Sequence, residues 1–154
     1  MSEAKKNDVS SLEEHLGFWM RRVSNHVSQR FADALAAREI AVAEWVVLRE
    51  ILDAAAEPSS LAGRIGLTRG AVTKIVDKLV AKGLVQRVSR GDDRRFQLVE
   101  LTAAGGKIVP VLAEIADRND AACFAGLHKA ERVQLMALLK KLADAMDLRS
   151  VPTE

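Results

Sequence analysis

The chain has 154 residues, of which 49% are hydrophobic and 29% charged, so its size and composition are those of an ordinary globular domain. No apolar run approaches the roughly 18 residues that a membrane span requires, and the polar first residues lack the apolar stretch of a secretory signal. The single cysteine excludes an internal disulfide. We therefore expect a cytoplasmic protein with no membrane partner.

Positive charge is concentrated in the middle of the chain. The net charge is only +2, but residues 59–96 contain nine Lys and Arg against three Asp, a net +6. The remaining residues carry 14 Lys and Arg against 18 Asp and Glu, a net −4. A basic segment in an acidic frame is a candidate electrostatic footprint for nucleic acid. Chance clustering on a solvated surface would give the same count, so charge alone leaves the partner open.

Three helices are predicted before residue 67. Apolar residues recur at steps of three and four through residues 11–37, which predicts one long amphipathic helix. A second helix fits residues 43–55, with Leu52 among its inward-facing side chains. The Glu-Pro-Ser-Ser sequence at 57–60 interrupts it, because the residue before a proline is pushed out of the helical region. One of these two serines is expected to cap a short third helix that ends at Gly66.

The fourth predicted helix has two different faces. Thr68 is placed to cap it, and it runs to about Lys82 and stops at Gly83. An apolar stripe lies on one side. The opposite side carries Arg69, Gly70, Thr73, Lys74, Asp77 and Lys78. Two strand-like runs follow, LVQRVS and FQLVEL, joined by the charged tip RGDDRR.

Two further helices complete the chain. Thr102 is placed to cap a helix that extends to about residue 123. Gly105 and Gly106 weaken its first turns, and Pro110 is expected to kink it because a proline has no N–H to donate. The last helix covers residues 129–148 and has one apolar face.

A short helix, a turn, a second helix and a hairpin, in this order, are typical of a winged helix-turn-helix. The fold class is therefore mainly α, with a small β component (α+β). The fourth helix suits the major groove, where Arg69, Lys74 and Lys78 offer donors to bases and phosphates. Thr73 adds a hydroxyl donor and a methyl group that fits thymine, and Gly70 allows close backbone approach.

The arginines of the predicted wing suit the narrow, electronegative minor groove. Arg95 is our first candidate for insertion, and Arg90 and Arg94 would pair with phosphates or flank the tip. Asp93 lies two residues before Arg95 and can hold its guanidinium in place. A solvated tip with mutually neutralising charges is the alternative, and the polar helix that precedes the hairpin argues against it.

Residues 59–105 resemble the MarR-type winged-helix transcriptional regulators. The most specific parts are LTRGAVTKIVDKLVAKGLV and the D-x-R wing, which reads Asp93-Arg94-Arg95 here. The resemblance implies a cytoplasmic homodimer that binds a pseudo-palindromic operator on double-stranded DNA. It implies DNA contacts from Thr68, Arg69, Gly70, Thr73, Lys74, Lys78, Arg90, Arg94 and Arg95. To this candidate set we add Ser59, Arg87 and Asp93.

The flanking helices favour a dimer. A winged helix needs only about 70 residues, and the apolar faces of the outer helices exceed what one such module can cover. We assign residues 1–37 and 107–154 to a helical dimerisation region and residues 38–106 to the DNA-binding lobe. A two-fold dimer would present two recognition helices about 34 Å apart, which is one turn of DNA. A monomer with a folded-back helical layer is the alternative.

A stripe of polar and aromatic side chains on the first helix is a candidate effector site. His15, Trp19, Arg22 and His26 lie on one face, and Trp45 on the second helix could line the same cleft or fill the core. The family resemblance implies a small aromatic or anionic effector, which such a stripe could receive. A dimer-interface stripe with polar tips is the alternative reading.

The sequence gives no sign of a redox switch, a metal, a cofactor or a catalytic site. Cys123 lies late in an apolar-rich helix, where a buried and inert thiol is expected. The three histidines lack the spacing of a zinc site, and no phosphate loop or nucleophile motif is present. We therefore predict a regulator rather than an enzyme. A winged helix used as an interaction or architectural module is the alternative, although lysines on the polar helix face are unusual for a protein interface.

Overall fold

The computed structural model describes residues 9–154, apart from the side chains of Arg90 and of residues 93–96. Within this range the chain is mostly helical, with one antiparallel pair of strands. A short 3-10 helix (Leu12–Glu14) is followed by α1 (Leu16–Ala36), α2 (Val42–Glu50), α3 (Pro58–Ile65), α4 (Arg69–Ala81), β1 (Val85–Arg90), β2 (Asp93–Leu101), α5 (Ala103–Cys123) and α6 (Lys129–Ala145). This order confirms the mainly α, winged helix-turn-helix class.

The hydrophobic core lies where α2, α3, α4 and the hairpin meet the first half of α5. Leu48, Leu61, Val76, Val99 and Leu112 are all fully buried there. Burial of a side chain of this size contributes about 1.5–3 kcal/mol. The first half of α5 is therefore packed into the same core as the helix-turn-helix.

The junction between α2 and α3 differs from the prediction. Helix α2 ends at Glu50 rather than near residue 55, and Leu52 is 39% exposed rather than inward-facing. The backbone of Ala56 instead pairs with Val99 of β2, through N–H···O distances of 3.0 and 2.8 Å. Helix α3 then begins at Pro58 itself, since proline fits the first helical position, where no N–H donor is needed. The serine cap was therefore a wrong prediction.

Helix α5 matches its predicted limits. The hydroxyl of Thr102 accepts the backbone N–H of Gly105 at 3.1 Å, which confirms it as the cap. The helix then runs unbroken through Pro110 to Cys123. Gly105 itself is buried, and a Cβ added there would lie 2.0 Å from the carbonyl oxygen of Leu84. This glycine therefore allows α5 to approach the backbone that leads into β1.

The hairpin turn is tighter than the sequence suggested. Strand pairing extends from Val85 opposite Leu101 to Arg90 opposite Asp93, with an irregularity after Ser89. Only two residues form the turn, and the first is Gly91, whose φ of +66° favours glycine. Four of the six residues of the predicted tip, Arg90 and Asp93–Arg95, are therefore assigned to the strands, and of these Arg90 and Asp93 pair with each other.

The outer helices leave large apolar side chains uncovered. Leu16 of α1 is 83% exposed and Val133 of α6 is 64% exposed, and Val23 and Met136 are also exposed. In the described part of the chain no helix is both long and apolar enough to cross a membrane. Exposed apolar area of this extent is typical of a protein–protein contact.

Candidate nucleic-acid interface

The turn between α3 and α4 fixes the start of α4 through backbone geometry. Gly66 follows the last residue of α3 with a φ of +81°, in the left-handed region that favours glycine. Leu67 then packs partly against the core. The hydroxyl of Thr68 accepts the N–H of Ala71 at 3.1 Å, which confirms the predicted cap. Thr68, a candidate DNA contact, is thus exposed at the N-terminus of α4.

Helix α4 buries one face and exposes the other. Val72, Val76 and Leu79 are completely buried against the core. The predicted DNA-contacting residues of the opposite face are all exposed: Arg69, Gly70, Thr73, Lys74 and Lys78. Gly70 has no atom within 4 Å of an added Cβ, so the helix backbone is open to a groove at this position. The structure therefore brings the basic residues of α4 together on one accessible surface.

Thr73 is less free than the sequence suggested. Its hydroxyl donates to the backbone carbonyl of Arg69, four residues earlier, at 2.9 Å. A hydroxyl has a single proton to donate, so this contact occupies it and leaves the oxygen as an acceptor. Thr73 is therefore better suited to methyl contact or to accepting a hydrogen bond than to donating one.

Arg87 is paired within the chain. Its Nη2 atom lies 2.5 Å from Oδ1 of Asp77, which joins β1 to the middle of α4. The pair braces the recognition helix against the wing, since charge-assisted hydrogen bonds of this kind fix geometry as well as adding energy. Arg87 was predicted as a DNA contact, and this geometry favours a positioning role.

For the predicted DNA contacts in the hairpin, the structure describes the backbone positions only. Arg90, Asp93, Arg94 and Arg95 flank the two-residue turn of the hairpin. Their side chains lie outside the described part of the structure, and so does the predicted brace between Asp93 and Arg95. Ser59 is exposed in the first turn of α3 rather than on the face of α4.

An ion pair that the sequence analysis missed fixes the other end of α4. The ammonium of Lys82 lies 2.8 Å from both carboxylate oxygens of Glu44 and also donates to the carbonyl of Glu39. Glu44 is only 3% exposed and also accepts the N–H of Ala41 at 2.7 Å. The two residues are 38 positions apart in the sequence, so no local pattern predicts their contact. A glutamate in the first turn of a helix is also common as a capping residue, so Glu44 alone does not indicate an ion pair.

The two tryptophans among the predicted effector residues line different cavities. Trp45 lines a cavity of about 340 Å³ between α1, α2 and α5, whereas Trp19 lines a neighbouring cavity of about 390 Å³ between α1 and α6, and Val27 and Ser28 line both. His15, Arg22 and His26 line neither cavity. Arg22 instead lies over the ring of Trp19, with 5.6 Å between its guanidinium carbon and the ring centroid. The stripe is therefore a surface feature of α1, separate from Trp45.

Cys123 and the histidines do not belong to a metal site in the described residues. The thiol of Cys123 is half-buried, with its sulfur 3.8 Å from Oδ1 of Asn119. Within residues 9–154 no group of three or more His, Cys, Asp or Glu is arranged to hold a metal ion.

Comparison with known proteins agrees with the geometry. A family model described as the MarR family matches residues 40–96, which cover α2, α3, α4 and most of the hairpin. A mutant MarR from E. coli in complex with operator DNA is 29% identical, with a TM-score of 0.72 over 82% of this chain and 92% of that one. Over these ranges the chain is similar to the MarR family and to its operator-binding member from E. coli.

Two other relatives extend the likeness beyond the lobe. BpsR of Bordetella bronchiseptica is 26% identical, with a TM-score of 0.76 over 88% of this chain and 99% of its own. A transcriptional regulatory protein for the hcr operon of Thauera aromatica is 28% identical over 134 residues, 86% of this chain and 81% of that protein. These relatives are regulatory proteins, and the matches support the same broad class for this chain, a DNA-binding transcriptional regulator.

Proposed function

We propose that two copies of this chain bind a pseudo-palindromic operator, with α4 of each copy in the major groove and the hairpin against the adjacent minor groove. The main support for this proposal is the exposed polar face of α4. It presents Arg69, Lys74 and Lys78 on a helix whose other side is buried in the core. One such face per copy matches one half-site of a two-fold operator.

The uncovered apolar faces of α1 and α6 support the homodimer. They lie on the two long helices outside the helix-turn-helix, where we assign residues 1–37 and 107–154 to dimerisation. Side chains such as Leu16, Val133 and Met136 are more than half exposed in the single chain. A second copy would remove them from water, which contributes about 25 cal/mol per Å² of apolar surface. Burial of this kind is what obligate dimer interfaces use.

We further propose that a small aromatic ligand modulates DNA binding from the cavity that contains Trp45. The DNA binding of the relative BpsR is regulated by 6-hydroxynicotinic acid, a small aromatic carboxylic acid, so aromatic character is the part of this precedent that we carry over. Here the cavity is lined by Trp45 and Phe31 but also by Asp120 and Glu154, and no Lys, Arg or His lines it. An anion would be repelled by such a lining. Of the two expected ligand classes, this cavity therefore favours an aromatic compound without negative charge.

The experiment that tests operator recognition is selection of duplex DNA from a random pool by the purified chain. We expect enrichment of an inverted repeat whose half-site centres are about 10 base pairs apart. A pool that remains random after repeated selection would favour the alternative, an interaction or architectural module without a specific operator.

Replacing Arg69 by alanine is expected to reduce discrimination between operator and random DNA. A bidentate contact from an arginine to guanine contributes about 1–3 kcal/mol of discrimination, and the exposed position of Arg69 in the first turn of α4 suits such a contact. The measurement is the ratio of the two dissociation constants, with Lys141→Ala, an exposed position on the polar side of α6, as the control. Equal losses on both DNAs would instead identify a phosphate contact.

Replacing Arg95 by alanine is expected to weaken operator binding strongly and to leave the dimer intact. An arginine next to a hairpin turn suits the electronegative minor groove, and losing such a contact costs affinity without touching the outer helices. Fluorescence anisotropy gives the affinity and sedimentation gives the oligomeric state. Affinity equal to that of the unchanged protein at moderate salt would remove Arg95 from the mechanism.

A further inference from the structure

The segment after α6 returns to the helix-turn-helix. Helix α6 ends in a turn in which the N–H of Leu148 bonds the carbonyl of Ala143 at 2.9 Å, and Asp147 adopts a φ of +52°. The following residues cross to α3, where the N–H of Val151 donates to the carbonyl of Ile65 at 2.9 Å. This bond satisfies a carbonyl in the last turn of α3, which has no partner within the helix.

The segment lies directly against the turn that precedes α4. A Cβ added to Gly66 would lie 2.7 Å from the Cβ of Ser150, so little space separates the two backbones. Val151 is partly buried and packs against the hydrophobic core. The contact is therefore a packed interface with a backbone hydrogen bond, only a few residues before Arg69.

The same segment forms a wall of the cavity that contains Trp45. Val151, Pro152 and Glu154 line this cavity opposite residues of α1, α2 and α5. A stretch of six residues thus touches both the cavity and the turn that sets the position of the recognition helix.

We infer that residues 149–154 form a strap that completes the ligand cavity and positions α4 through Ile65 and Gly66. A ligand that fills the cavity changes the contacts of the strap, and the strap in turn stabilises the turn before α4. The cavity and the DNA-binding face are therefore coupled through one shared segment. This inference rests on the proposed function for its DNA-binding consequence. Val151 is the positioning residue, because it makes the backbone bond, the core contact and part of the cavity wall.

The test uses Val151→Pro, which removes the donor N–H, in a full chain that carries Trp19→Phe so that Trp45 alone reports by fluorescence. Arg149→Lys is the matched control, because Arg149 lies in the same segment, pairs with Asp147 at 2.6 Å and keeps its charge on replacement. Three quantities are measured: the emission maximum of Trp45, amide exchange at Gly66 and Leu67, and affinity for the selected DNA across a salt series.

For Val151→Pro we expect emission at longer wavelength, faster exchange at the turn and about a tenfold loss of operator affinity. The salt dependence should not change, since no phosphate contact is removed. The control, Arg149→Lys, should have the same emission maximum, amide exchange and operator affinity as the parent chain that carries only Trp19→Phe. Parent-like emission and exchange in Val151→Pro would overturn the strap, and parent-like affinity would overturn its role in positioning α4.

Failure of the proposed function has a different signature. If the parent chain itself selects no operator, the DNA arm fails for parent and variant alike. Trp45 emission and amide exchange at Gly66 and Leu67 require no DNA. They therefore still test whether residues 149–154 stabilise the turn before α4 and form a wall of the cavity.

Discussion

Replacing Gly105 by alanine will destabilise the protein by about 3 kcal/mol, the upper part of the range for overpacking a tightly packed site. The new Cβ would lie 2.0 Å from the carbonyl oxygen of Leu84, which is far inside van der Waals contact. That carbonyl cannot move away cheaply, because it already accepts the N–H of Thr102 at 3.1 Å. Thr102 in turn donates its hydroxyl to Gly83 at 2.6 Å and caps α5. The free energy of unfolding in urea, at fixed chain concentration, measures the loss.

Gly106→Ala is the matched control for this prediction. Gly106 lies on the same helix, one residue later, and has no atom within 4 Å of an added Cβ. Alanine there should stabilise the protein by about 0.5–1 kcal/mol, because it favours the helix and restricts the unfolded chain. If the two variants unfold at the same urea concentration, the close approach of α5 to Leu84 is wrong.

Replacing Lys82 by methionine will cost about 2–3 kcal/mol, which is at or below the roughly 3–5 kcal/mol that breaking a fully buried ion pair costs. The change leaves the carboxylate of Glu44, which is 3% exposed, with only the N–H of Ala41 as its described partner. The side chain of Lys82 is itself 35% exposed, so solvent screening reduces the effect below that of a fully buried pair. Thermal and urea unfolding both measure this loss.

A double-mutant cycle separates the interaction free energy of the Lys82–Glu44 pair from the other effects of each single replacement. Glu44→Gln combined with Lys82→Met should lose less than the sum of the single losses, because the second change no longer breaks a contact. Lys78→Met is the control for loss of a lysine on α4, and as an exposed residue it should change stability by about 0.5 kcal/mol or less. Additive losses in the cycle would contradict a direct ion pair.

The fold could be predicted well where the signal is local. Thr68 and Thr102 cap their helices as expected, since a cap depends only on residues within the next turn. Gly66 and Gly83 both adopt the positive φ expected of glycines that end helices. The periodic stripe of α4 likewise identified its buried and exposed faces, and with them most of the candidate site.

Predictions failed where the decisive contact is distant in sequence. Helix α2 ends early because Ala56 pairs with Val99, a partner 43 residues away that no local pattern announces. Gly105 and Gly106 look equivalent in the sequence, although only the first touches another backbone. Helical spacing predicted that Trp19 and two histidines lie on one face of α1. Spacing does not show which residues of a long helix line a cavity, and of these three only Trp19 lines one of the two cavities described above. Trp45, the other predicted tryptophan, lines a different cavity.

The most direct test of the central claim is equilibrium binding of the chain to its selected operator and to random DNA of equal length, across a salt series. We predict binding of the operator about a thousandfold tighter or more, two chains per site and a steep fall of affinity with salt. Equal affinity for both DNAs, in a sample that sedimentation shows to be dimeric, would contradict a sequence-specific regulator and favour the interaction module.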